Sequence, residues 1–145
     1  MTTAPASAAR GGGRDDRYVL AVDLGTGGPK VGLVSMAGVI AWSEHLLVPT
    51  RLLSGGGAVQ DADQWWDVIV DSARRGLASG VVDPGRVTAV SCTGQWASTV
   101  PVDEAGVPVG DCVLWMDSRG APHARRAFGG PVSGYGPLVL ARWVR

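Results

Sequence analysis

The sequence is short of net charge, lysine, cysteine and long apolar runs, and each shortage closes off a class of function. Its 145 residues carry 13 basic and 13 acidic side chains, a formal net charge of zero. That balance gives no basic footprint for nucleic acid and none for an anionic membrane surface. Lysine occurs once, at Lys30. Cys92 and Cys112 are the only cysteines, in or beside apolar runs and without CxxC spacing. They read as buried free thiols and argue against a disulfide framework. No stretch approaches the length of a membrane span. Met1 to Arg17 is rich in Ala, Thr, Ser, Gly and Arg with no continuous apolar segment, so it reads as a disordered leader and not a signal peptide. A cytoplasmic location is the default that follows. His45 and His123 assemble neither a Ser-His-Asp arrangement nor a metal-ligand spacing.

What the chain does have is apolar content, 46%, and glycine, 22 residues without a triplet period. The first gives surface to bury and argues against disorder throughout. The second points to tight turns and close backbone approach, as in phosphate loops.

Tyr18–Asp23, Val31–Val34 and Val39–Val48 read as three strands joined by the breakers 24–29 and 35–38. Connections this short predict an antiparallel meander. Pro49 to Gln60, with Ser54-Gly55-Gly56-Gly57, reads as a glycine-rich loop. A helix is predicted from the N-cap Asp61, with Gln64 three residues on, and Gly76 or Gly80 as its terminator. Its apolar face is Ala62, Trp65, Trp66, Ile69, Ala73 and Leu77, with both tryptophans in the core. Val87–Cys92 reads as a buried strand, and Thr99–Val102 with Val107–Leu114 as a second hairpin. A short helix after Ser118, carrying Ala121, Arg125 and Arg126, and an apolar helical start at Pro137 to Arg145 complete the pass. The result is a mixed α/β fold, not a doubly wound one, whose first strand would lead directly into a helix.

Asp23-Leu24-Gly25-Thr26-Gly27-Gly28-Pro29-Lys30 fits neither a dinucleotide fingerprint nor a Walker loop. It admits two readings, a plain hairpin turn or an anion nest. In the second, backbone N–H groups of Gly25 and Gly27, the Thr26 hydroxyl and the Lys30 ammonium meet phosphate. Asp23 can then hold a hydrated magnesium ion, which keeps its waters and needs few carboxylates. Gln95, just past a strand, can donate to and accept from sugar hydroxyls. Trp96 or Trp115 can stack on a sugar ring. Asp117 and Arg119 offer opposite polarities to a polyol, or simply form a loop ion pair.

With these residues in place, the sequence resembles the FGGY family of carbohydrate kinases, within the actin-like, ribonuclease-H-like ATPase superfamily. The likeness rests on Asp23-Leu24-Gly25-Thr26 followed by Lys30, Asp63-Gln64-Trp65-Trp66, Gly94-Gln95-Trp96 and Trp115-Met116-Asp117-Ser118-Arg119. It runs from Tyr18 to about Arg119 and leans to the xylulokinase-like branch. Trp96-Ala97, however, stands where xylulokinase-like members carry Met-His and glycerol kinase-like members Arg-Glu. The resemblance implies an α/β ribonuclease H-like fold, with residues 18–145 forming an incomplete first kinase lobe. It implies transfer of the ATP γ-phosphoryl group, with Mg, to a sugar or polyol. In that picture Gly25, Thr26, Gly27 and Lys30 bind phosphate, Asp23 the metal, and Gln95, Trp96, Asp117 and Arg119 the substrate. The family's general-base aspartate has no counterpart, because no aspartate lies beyond Asp117. The isolated chain is therefore expected to be inactive, needing a C-terminal portion or a complementing chain. The alternative is a non-catalytic sugar- or phosphate-binding fragment.

Overall fold

The computed structural model describes residues 17–121. Most of the short helix expected after Ser118, including Arg125 and Arg126, the apolar tail and nearly all of the leader lie outside the described residues.

Strands β1 (Tyr18–Gly25), β2 (Gly28–Ser35) and β3 (Ile40–His45) form the expected antiparallel meander. Strand β6 (Val87–Gly94) joins β1 in parallel, so the sheet order is β3-β2-β1-β6. The crossover between β3 and β6 contains helix α1 (Ala62–Ala78). Alternation places Tyr18, Leu20 and Leu33 on one face of the sheet, where they pack with Trp42, Leu77, Val82 and Val87. The Arg86 guanidinium lies 5.8 Å from the Tyr18 ring centroid and caps this cluster.

The segment 49–60 is a hairpin and not the loop expected from its glycines. Strands β4 (Arg51–Leu53) and β5 (Gly57–Gln60) pair antiparallel, and β7 (Cys112–Val113) pairs with β5. Gly55 and Gly56, at φ +74° and +85°, make the turn, and all four residues of β5 are buried. An ion pair from Arg51 to Asp111 ties the outer strand across this sheet. The expected second hairpin is present without a continuous ladder: its arms are joined by bridges from Thr99 to Val113 and Val102 to Pro108 and by bonds such as the Val109 N–H to the Pro101 carbonyl at 3.0 Å.

Helix α1 starts as expected, with the Asp61 carboxylate accepting from the N–H groups of Asp63 and Gln64. Its buried seam differs from the apolar face read in the sequence. Trp66 is 68% exposed, whereas Ser72 and Gly76 are buried. Gly76 does not end the helix: a Cβ there would lie 2.7 Å from the Trp42 ring, so the glycine admits that indole against the helix. Ser72 donates to Glu44 at 2.7 Å, and Arg75 donates to the same carboxylate, which these bonds hold below its ordinary pKa. Small and polar residues thus join Trp65 and Leu77 on the packed side, and Trp66, about 100° around from Trp65, turns outward.

Strand β6 is mostly exposed, contrary to the buried strand expected, with Val90 69% accessible. Among the described residues it has a strand neighbour on one side only, and it carries Cys92, which is exposed, into solvent. Cys112 is buried, and desolvation pushes its thiol pKa up to about 12. The two thiols should therefore separate kinetically. Under native conditions at pH 8, Cys92 is expected to react with a disulfide reagent at least tenfold faster than Cys112. Peptide mapping of the labelled chain checks this.

Candidate functional site

Parallel pairing of β1 and β6 brings the carboxyl ends of two strands together, the edge where α/β sheets place their ligands. Thr26 follows β1 and Gln95 follows β6. The Gln95 N–H donates to the Leu24 carbonyl at 2.9 Å, which extends the pairing beyond the strands. The Thr26 hydroxyl donates to Gln95 Oε1 at 2.9 Å and accepts from the Trp115 indole N–H at 3.0 Å. Residues 69 and 89 positions away thus converge on the glycine turn. Trp115 could only donate, so it leaves the Thr26 proton directed at Gln95 Oε1. The amide nitrogen of Gln95 is buried with no hydrogen-bond partner among the described residues, a donor in want of an acceptor.

Asp23 and Lys30 face each other across the β1–β2 ladder and form a 3.0 Å ion pair, both partly exposed. A Cβ on Gly25 would lie 3.8 Å from Lys30 Nζ and 3.9 Å from Asp23 Oδ2, so this glycine adjoins the pair. Asp23, Lys30, Ser43, Ser91 and Thr93 edge a groove of about 300 Å³. Alternation puts these side chains opposite the helix-covered face. Gly27 is open, with nothing within 4 Å of a Cβ position. Gly28 is different: it packs against the backbone of Leu46 and Val48.

Asp117 and Arg119 lie beneath β5. Asp117 is fully buried and accepts from the Ala58 N–H at 2.9 Å and from the Arg119 N–H at 3.0 Å. Arg119 also reaches it through Nη2 at 2.6 Å and Nε at 3.0 Å. Burial raises the carboxyl pKa, but the bonds from Arg119 and Ala58 outweigh it and hold the group below the ordinary carboxylate range. The pair is therefore first a structural ion pair, with Arg119 still a quarter exposed. Trp96 is 65% exposed, and Ala97 beside it adopts φ 58°, a conformation uncommon for a residue with a Cβ.

Sequence reasoning missed Gln60 and the donor role of Trp115. Gln60 is completely buried and binds the Thr26 carbonyl at 2.9 Å. Its only sequence signal is its place directly before the helix cap. Among the described residues, no group of three or more His, Cys, Asp or Glu side chains could hold a metal. A metal at this edge would have Asp23 as its carboxylate. Among these residues too, no helix is long and apolar enough to cross a membrane.

An antiparallel meander, a parallel strand added through a helical crossover, and a glycine turn at the strand ends define the class, the actin-like ATPase fold. A xyloylose kinase from Brucella ovis superposes with a TM-score of 0.74 over 88% of this chain and 29% of its own, at 23% identity. The chain belongs to the FGGY family of carbohydrate kinases: residues 18–127 match the family's N-terminal domain. A xylulose kinase from Streptomyces coelicolor is 35% identical over 109 residues, 74% of this chain and 21% of its own length. A glycerol kinase from Xanthobacter autotrophicus is 29% identical over 126 residues, 86% of this chain and 25% of its own. The chain thus spans about a quarter of the length of the curated relatives it matches.

Proposed function

We propose that residues 18–145 serve as the first part of a kinase lobe that phosphorylates a hydroxyl of a sugar or polyol from MgATP. The observation that carries this reading is the convergence of Thr26, Gln95 and Trp115 at the ends of two parallel strands. It joins the phosphate turn to the segment expected to hold substrate. The residues suit both ligands: Gly27 leaves backbone open to an anion, and the Gln95 amide nitrogen needs an acceptor such as a sugar oxygen. MgATP, when bound, supplies the transferable phosphoryl group.

In this reading the N–H groups around Gly25, Thr26 and Gly27 hold phosphate oxygens. Lys30 releases Asp23 to neutralise phosphate, and Asp23 holds magnesium through its water shell. Gln95 orients the substrate, Trp96 and Trp115 flank it, and Asp117 fixes Arg119 as a donor to it. The base that takes the hydroxyl proton comes from sequence corresponding to the rest of the relatives' length.

A coupled ADP-release assay over D-xylulose, glycerol and further sugars and polyols tests this. The chain alone is expected to give no turnover. Supplementing it with the remaining portion of a xylulose kinase is expected to give sugar-dependent ADP release. Turnover by the chain alone would overturn this division of labour, and sugar-independent release would overturn the sugar-kinase reading.

A further inference from the structure

Among the described residues Gln60 is the largest uncharged polar side chain with no exposure at all, and nothing in the proposed chemistry calls on it. Its amide nitrogen donates to the Thr26 carbonyl at 2.9 Å and to Thr50 Oγ1 at 3.0 Å, with the Val48 carbonyl at 3.3 Å. Its amide oxygen accepts from the Trp65 indole N–H at 3.1 Å. An indole N–H can only donate, so Trp65 fixes which end of the amide faces the glycine turn. The nitrogen end faces it and grips the carbonyl of Thr26.

That grip has a consequence one atom further on. The Thr26–Gly27 peptide is trans, as are all the described peptides, and in a planar trans peptide the C=O and N–H point in opposite directions. Holding the Thr26 carbonyl toward Gln60 therefore turns the Gly27 N–H away from it. Gly27 is also the residue of the turn around which a Cβ would meet nothing within 4 Å. The backbone donor is thus aimed by a buried side chain that belongs to a different sheet.

We propose that Gln60, oriented by Trp65, is a positioning residue that aims the Gly27 N–H as an anion donor at the glycine turn. The anion part rests on the kinase reading given above; the aiming does not. The anion it serves is a polyphosphate, whose oxygens accept several N–H bonds at once.

The experiment uses the full 145-residue chain, labelled with ¹⁵N. Residual dipolar coupling reports the direction and order of the Gly27 N–H, and titration with inorganic tripolyphosphate reports affinity. In Gln60→Leu the Gly27 coupling is expected to fall by at least half, while couplings of Val22 and Leu33 in the sheet stay unchanged. The tripolyphosphate Kd is expected to rise at least tenfold. Trp65→Phe removes the indole donor while keeping an aromatic ring, and it should produce the same pattern at about threefold in Kd. An unchanged Gly27 coupling in folded Gln60→Leu would overturn the proposal. If that variant does not fold, an unchanged coupling in Trp65→Phe would overturn it. A wild-type chain that ignores tripolyphosphate while its variants lose the coupling would uphold the aiming and overturn the anion role.

Discussion

Alanine in place of Gly28 is expected to cost the fold more than about 4 kcal/mol, the range reserved for strained or overpacked sites. Two independent effects act at this position. The backbone sits at φ +119°, which L side chains rarely adopt. A Cβ would also lie 2.0 Å from the Leu46 carbonyl oxygen and 2.9 Å from the Val48 nitrogen. The obstructing chain cannot easily retreat. The Leu46 N–H donates to the Pro29 carbonyl at 2.8 Å, which holds this segment against β2. That bond would have to give for the methyl group to enter. Gly27→Ala is the control one residue earlier, with open space and no positive φ. It should change stability by no more than about 0.5 kcal/mol. Urea unfolding of the two variants checks the contrast. A Gly28→Ala midpoint equal to wild type would show that the turn does not depend on this close approach.

The contrast also marks what the sequence could and could not reveal. A glycine-rich turn between two apolar runs was legible, because breakers between β-branched segments dictate a hairpin. Which glycine of the turn stands open and which meets protein was not, because that depends on Leu46 and Val48 arriving from beyond β3. The same divide separates the elements. Strands β1 to β3 and the start of α1 follow from local alternation and the Asp61 cap. The β4–β5 hairpin hid behind Ser54-Gly55-Gly56-Gly57, since β5 is held as much by β7, over 50 residues later, as by its own turn. Trp66 looked like core because helical spacing gives a face some width, while full burial narrowed to Ser72 and Gly76, flanked by the half-buried Trp65 and Leu77, once Trp42 packed on the glycine. Strand β6 looked buried because its residues are apolar, yet burial is set by what lies alongside, and one edge has no strand neighbour among the described residues. At the site, Gln95, Asp117 and Arg119 could be picked out by residue type and motif. Gln60 could not, because its role lies in reaching Thr26, 34 positions earlier.

Asp117→Ala is expected to cost about 3 kcal/mol or more, as removal of one partner from a buried ion pair does. Asp117 is wholly buried, while Arg119 keeps a quarter of its side chain in solvent. That remaining hydration places the loss toward the lower end of the range. Part of the cost is not electrostatic. The Ala58 N–H, buried on β5, would lose its 2.9 Å acceptor, a penalty of about 1–3 kcal/mol. Changing both residues, as in Asp117→Leu with Arg119→Met, should recover the charge term and leave the Ala58 penalty, so the double variant should be more stable than Asp117→Ala. The pH dependence has a definite sign. The folded pKa of Asp117 is lowered, so its contribution is complete above the ordinary carboxylate pKa and is lost as pH falls through the folded value. Wild-type stability should therefore decline below about pH 4 more steeply than that of Asp117→Ala. Unfolding midpoints between pH 3 and 7 measure the difference. Parallel curves for the two proteins would mean that the carboxylate does not anchor Arg119.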